Sequence, residues 1–210
     1  MPQGPPIRIA ALASGRGSNF QSIIDACERG DINGQVVLLA TDNPAAKAIE
    51  RARLHSIPHM VVERKGYPSR AAFDTALADA VERAGADIVT LAGYMRILSK
   101  TFLSRFPGRV INIHPALLPS FPGLDAQKQA LDYGVKITGC TVHFVDDGVD
   151  TGPIILQTAV EVVPEDTVET LSARILKQEH TLYPRAIQMI ATGQVAPPLA
   201  LMNRLKGELV

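Results

Sequence analysis

Apolar residues in the first half of the chain alternate between short dense runs and longer stretches with helical spacing. Ile7–Ala13, Val36–Thr41, His59–Val62, Asp87–Ala92 and Arg109–His114 read as strands. From Ser69 to Ala84, Phe73, Leu77, Ala80 and Val81 recur three and four positions apart before Gly85, which predicts an amphipathic helix. Strand–helix alternation of this kind predicts βαβ units in a mostly parallel, doubly wound α/β sheet, with right-handed crossovers placing helices on both faces.

The pattern changes after Pro119. Phe121-Pro122-Gly123-Leu124-Asp125 is rich in turn formers, and a mobile loop is expected around Leu118–Val135. Lys136–Val145 and Pro153–Val163 read as two further strands, joined by a segment, Asp146–Gly152, too long for a tight hairpin. A final helix is expected from Thr167 to Ala191, with Asp166 or Thr167 as N-cap and Gly193 near its end. A single domain spanning 1–210 is expected, with residues 1–6 and about 194–210 as loosely packed peripheral tails.

Composition narrows the partners. The 210 residues are 46% hydrophobic and 20% charged, enough to bury a sizeable core. Twenty-one basic residues balance twenty-one acidic ones, so no broad positive field draws in nucleic acid, and any anion must be recognised locally. No apolar run approaches the roughly 20 residues of a spanning helix, and Met1–Pro6 lacks the features of a signal peptide. A cytoplasmic protein that binds neither nucleic acid nor membrane is expected. A homodimer is left open. Cys27 and Cys140 are far apart, in no CxxC pattern, and are expected to be reduced.

Two places carry chemistry. Asn112 and His114 alternate at the end of an apolar run, so in a strand both project to one face while Ile111 and Ile113 face the other. Asp150 follows in a Gly-bounded loop and can complete a site. Alone, Asn112 also reads as a turn cap, His114 as a histidine satisfied by backbone, and Asp150 as a turn former; their place at a strand end favours a site, because ligands of open α/β sheets bind beyond the strands' carboxyl ends. The second place is Ser14-Gly15-Arg16-Gly17-Ser18-Asn19, between a strand and an apparent helix. Such a loop outlines an anion site, although a tight turn capped by Ser18 or Asn19 has the same signature. No GK[ST] follows it. The third glycine of GxGxxG is also missing, with Gln21 near its place, yet Asp42 stands where a dinucleotide's ribose acid would. Neither the five histidines nor the cysteines have metal-site spacing, so no catalytic metal is expected, and no GxSxG elbow occurs.

Several ordered motifs together are more specific than any of these. SGRGSN at Ser14–Asn19, LAGYMRILS at Leu91–Ser99, NIHPALLP at Asn112–Pro119, DxGP at Asp150–Pro153 and QEHTLYP at Gln178–Pro184 resemble the phosphoribosylglycinamide formyltransferase family across about Ile7–Gly193. The resemblance implies the formyltransferase fold and 10-formyltetrahydrofolate as co-substrate, without metal. It implies that Gly17, Ser18, Asn19 and Glu179 bind glycinamide ribonucleotide. Arg70, Met95, Arg96, Ile97 and Leu98 would line the folate site with Asn112 and with Asp146, Asp147, Gly148, Val149 and Asp150, and Asn112, His114 and Asp150 would be the catalytic trio.

Two positions depart from the family. Leu176 stands where Lys or Gln is common, leaving Lys177, one residue on, as a further ribonucleotide contact to be tested; Ala116 replaces a common Ser. The chemistry expected is attack of the ribonucleotide's amine on the formyl carbon. Asn112 and a protonated His114 would stabilise the oxyanion, with Asp150 moving protons. His143 reads equally as a partner of the site and as a satisfied strand histidine. Methionyl-tRNA formyltransferase and formyltetrahydrofolate deformylase are related alternatives, each ordinarily carrying a further domain for which 210 residues leave no room. A nonenzymatic nucleotide sensor using the glycine loop and Asp42 is the alternative of another class.

Overall fold

A computed structural model describes residues 4–207; the expectation for the first tail therefore lies partly outside the described residues, as does the end of the second. Strands β1 (Ile7–Leu12), β2 (Gly34–Thr41), β3 (His59–Val61), β4 (Ile88–Leu91), β5 (Val110–His114), β6 (Ile137–Phe144) and β7 (Ile154–Glu161) form one sheet in the order β3-β2-β1-β4-β5-β6-β7. The first five are parallel, and β6 and β7 are added antiparallel. The expected doubly wound, mostly parallel sheet is therefore present.

Helices α1 (Ser18–Arg29), α2 (Ala48–Leu54), α3 (Arg70–Arg83), α4 (Lys100–Leu103), α5 (Ala126–Tyr133), α6 (Val168–Ala191) and α7 (Leu199–Lys206) pack on the sheet. Ser69 accepts from the Ala72 amide to cap α3, and Thr167 and Thr170 form a reciprocal capping box on α6. The centre of the sheet is buried on both sides: Ile9 to Leu12 are fully covered, as are Val89 and Ile111. Such runs suit parallel strands sandwiched between helices. Strand order reverses between β1 and β4. The loops leaving these two strands meet there, with the Ser14 amide donating to the Gly93 carbonyl at 3.0 Å.

Two segments differ from expectation. The stretch 118–135, expected as a loop, contains α5, whose buried residues are only Ala126 and Ala130; small side chains leave little apolar signal. The expected C-terminal tail contains α7. Leu201 and Leu205, four apart, are buried in the core, and Pro197 and Met202 pack so close to Gly108 that a side chain there would collide.

Candidate active site

Asn112 and His114 do project together from β5, and the antiparallel register sets His143 of β6 opposite Asn112. Asp150 adopts φ 54°, the left-handed region that Asp tolerates better than most residues. That bend aims its carboxylate back at the strand. Oδ2 lies 3.3 Å from His114 Nδ1, and Oδ1 accepts from Asn112 Nδ2 at 3.4 Å. The three residues predicted from the sequence thus converge.

The surrounding groups decide their protonation. His143 Nδ1 lies 2.8 Å from the Phe144 carbonyl, while Nε2 lies 3.3 Å from Asn112 Nδ2 and 3.6 Å from Asp150 Oδ1. The Asn112 amide is oriented by two contacts, both long for hydrogen bonds, so its protons are held without being saturated. His143 is a partner of the site.

His114 faces an acceptor at each ring nitrogen, Asp150 at Nδ1 and the Phe121 carbonyl, 2.8 Å away, at Nε2. Those contacts favour the imidazolium, but burial disfavours it more and holds the group below its ordinary 6.5. Burial thus works against the imidazolium that the Asp150 carboxylate favours. Asp150 shifts down as well. Burial pushes it up, and this is outweighed by the His143 hydrogen bond, the Gly123 amide donating at 2.8 Å and the charges of the two histidines. Backbone atoms of 121 and 123 therefore hold two of the three groups, a role no side-chain pattern announces.

The 146–150 loop is built rather than loose. Asp146 Oδ1 accepts from the Gly148 amide at 3.0 Å and the Thr151 hydroxyl at 2.7 Å, and Oδ2 accepts from Arg204 of α7 at 2.7 Å. Burial raises the Asp146 pKa, but these three donors lower it further, for a net decrease. Asp147 lies 3.0 Å from the same Arg204, and Val149 is exposed. Arg204 was missed from sequence because its partners lie far back in the chain.

At the β1 end, Gly17 takes φ 68° as the N-cap of α1 and approaches Ala48 so closely that a Cβ would lie 2.8 Å from that residue's own Cβ. The first amides of α1 have no side-chain cap, which leaves them for a ligand. Asn19 Nδ2 donates to Glu179 Oε2 at 2.7 Å, and burial pushes the Glu179 carboxyl up. Beside them lies a cavity of about 340 Å³ lined by Ser18, Gln21, Arg51 and His180 among others. Arg51 lies outside every motif quoted above, and His180 lies within QEHTLYP beside Glu179. Lys177 does not join this group: it is exposed, and two helical positions from buried Glu179 is roughly 200° around the axis.

The other expected wall is held from two sides. Arg70 donates to the Ile97 carbonyl at 2.6 Å, and Arg96 pairs with Asp42. Met95 and Ile97 are 67% and 59% exposed, whereas Leu98 is buried in the core. Asp42 is fully engaged, with Ser14 and Arg96 on its two oxygens, so it does not present the free acid that a dinucleotide ribose would need.

Known proteins match this chain in sequence and in fold. The formyl transferase family model matches residues 7–187. Phosphoribosylglycinamide formyltransferase of Bacillus subtilis is 45% identical over 87% of this chain and 94% of its own length. The trifunctional purine biosynthetic protein adenosine-3 of Bos taurus is 48% identical over 90% of this chain, which spans only 19% of that longer protein. The crystal structure of glycinamide ribonucleotide transformylase 1 from Symbiobacterium toebii superposes with a TM-score of 0.92 at 51% identity, covering 94% of this chain and 93% of that one. With its sheet, its glycine loop and its Asn–His–Asp convergence in place, the chain belongs to the formyl transferase family, among the phosphoribosylglycinamide formyltransferases.

Proposed function

We propose that this chain transfers the formyl group of 10-formyltetrahydrofolate to the amine of glycinamide ribonucleotide, a step of purine synthesis, with Asn112, His114 and Asp150 as its catalytic residues. The observation that carries the reading is the reach of Asp150 to both strand residues, at 3.3 and 3.4 Å. The phosphate would sit on the open amides of α1 at Gly17–Asn19, with Glu179 holding the sugar or amide portion. The folate would lie between Met95–Leu98 with Arg70 and the 146–150 loop.

The amine's lone pair attacks the formyl carbon, and the carbonyl electrons move to oxygen. That oxygen accepts from the Asn112 amide and from His114. His114 donates through an imidazole N–H with no change in its own protonation, and the bond strengthens as the negative charge forms. Asp150, ionised at rest, takes the proton of the new ammonium, directly or through water; return of a proton to the folate nitrogen lets that nitrogen leave.

Formyl transfer measured with both substrates, and with water and methionyl-tRNA as alternative acceptors, tests the activity. Asn112→Ala should lose roughly a hundredfold to a thousandfold in kcat, as for one oxyanion donor. His114→Ala and Asp150→Asn should fall at least as far. Near-normal turnover in all three would remove the assignment.

A further inference from the structure

We propose that Asp42 is a positioning residue for the folate wall, a role that rests on the function proposed above. Its carboxylate accepts from the Ser14 hydroxyl at 2.6 Å through Oδ1 and from Arg96 Nε at 2.6 Å through Oδ2. The same Ser14 oxygen accepts from the Met95 amide at 3.0 Å. One acid at the end of β2 therefore fixes two successive residues of the 95–98 segment, one through its side chain and the other through a hydroxyl whose proton the acid orients.

An exposed ion pair would contribute little. Here Asp42 is 9% exposed beside a half-exposed Arg96, and removing it leaves the buried Ser14 hydroxyl without its acceptor. Among the described residues, its two oxygens are the acceptors that the Ser14 hydroxyl and Arg96 Nε reach. The far side belongs to α3, where Arg70 grips the Ile97 carbonyl and the Phe73 ring lies 5.8 Å beneath the Arg96 guanidinium. Without Asp42, Arg96 keeps only the Phe73 ring, and the Met95 amide rests on a hydroxyl whose proton has lost its acceptor. Ser14 itself stays anchored, since its amide donates to the Gly93 carbonyl and its own carbonyl accepts from Asn43 Nδ2, both at 3.0 Å. The glycine loop that begins at Ser14 should therefore be spared. Loss of Asp42 weakens one ligand and not the other.

The test uses the full chain, Asp42→Ala and Asp42→Asn, with calorimetric titration of 10-formyltetrahydrofolate and of glycinamide ribonucleotide separately, steady-state kinetics, and hydrogen exchange over residues 94–98. Asp42→Ala should weaken folate binding roughly tenfold and raise its KM in parallel, with ribonucleotide affinity and kcat within about twofold. Exchange across 94–98 should accelerate. Asp42→Asn, which can still accept from Ser14 but carries no charge for Arg96, should fall between. Unchanged folate affinity with unchanged exchange would overturn the role, and so would equal weakening of both ligands, the mark of general loosening. Failure of the wild-type chain to bind formyl folate is a different result, and it would overturn the proposed function itself.

Discussion

Gly17→Ala tests the close approach on which the glycine loop depends. The backbone there has φ 68°, and a left-handed conformation costs an ordinary L-residue roughly 1–2 kcal/mol. The added methyl would lie 2.8 Å from Ala48 Cβ and 3.0 Å from its Cα. Carbon atoms ordinarily rest about 3.5–4.0 Å apart, so α1 and α2 must separate by about 0.7 Å or more. Overpacking of this kind costs about 1–3 kcal/mol, and the two contributions together predict a loss of about 2–5 kcal/mol.

Urea unfolding measures that loss, and Ala48→Gly separates its parts. Glycine at the start of α2 should cost about 0.5–1 kcal/mol by itself, but in that background Gly17→Ala should lose its 2.8 Å contact and keep its backbone cost with the 3.0 Å approach to the residue-48 Cα, a smaller penalty than in the natural background. Displaced amides at Ser18 and Asn19 should also weaken ribonucleotide binding by roughly tenfold or more. A loss under about 1 kcal/mol, or the same loss in both backgrounds, would refute the contact as the cause.

Tyr183→Phe removes a fully buried hydroxyl that donates to the carbonyls of Leu91 and Ile111, at 3.2 and 3.0 Å, and should destabilise by about 1–2 kcal/mol in the same assay; no loss would mean that those carbonyls need no donor. Arg204→Ala frees the Asp146 loop at a stability cost below about 1 kcal/mol, since the guanidinium is half exposed, and folate KM should rise several-fold with kcat held. An unchanged KM would show that Gly148 and Thr151 hold the loop unaided. Burial keeps both His114 and His180 below their ordinary 6.5 in the folded chain, so as pH falls past that value the unfolded chain takes up protons the native one refuses. Stability should therefore decline from pH about 7.5 to about 5 and decline less in His114→Gln/His180→Gln, while Asp150, depressed from 3.8, should add its own loss only below that range. A slope unaltered by the double substitution would assign the decline elsewhere.

Much of this architecture was readable because periodicity reports burial. The 69–84 pattern gave α3, and 167–191 gave α6 with Thr167 among its expected caps, each within a residue of the observed bounds. The pairing of Asn112 with His114 was readable for the same reason, since strand alternation fixes which residues share a face. What sequence concealed lies in long-range contacts. The His143–Asn112 register depends on where β6 docks, the Phe121 and Gly123 contacts are made by main-chain atoms common to every residue, and Arg204 meets Asp146 only after α7 has folded back. Lys177 sits two helical positions from Glu179, roughly 200° around the axis, and is exposed, so helical geometry sets it apart from that carboxylate.

Helix α6 also acts as a ruler. Glu179 reaches Asn19 in the glycine loop, and Tyr183, four residues later on the same face, fastens the ends of β4 and β5. One rigid rod thus sets the spacing between the two halves of the cleft. Inserting a single residue between Thr167 and Glu179 while its N-terminal turn stays docked would swing both anchors by about 100° and advance them about 1.5 Å. The same insertion beyond Ile187 would leave them untouched, so tolerance to length change should switch abruptly along one continuous helix.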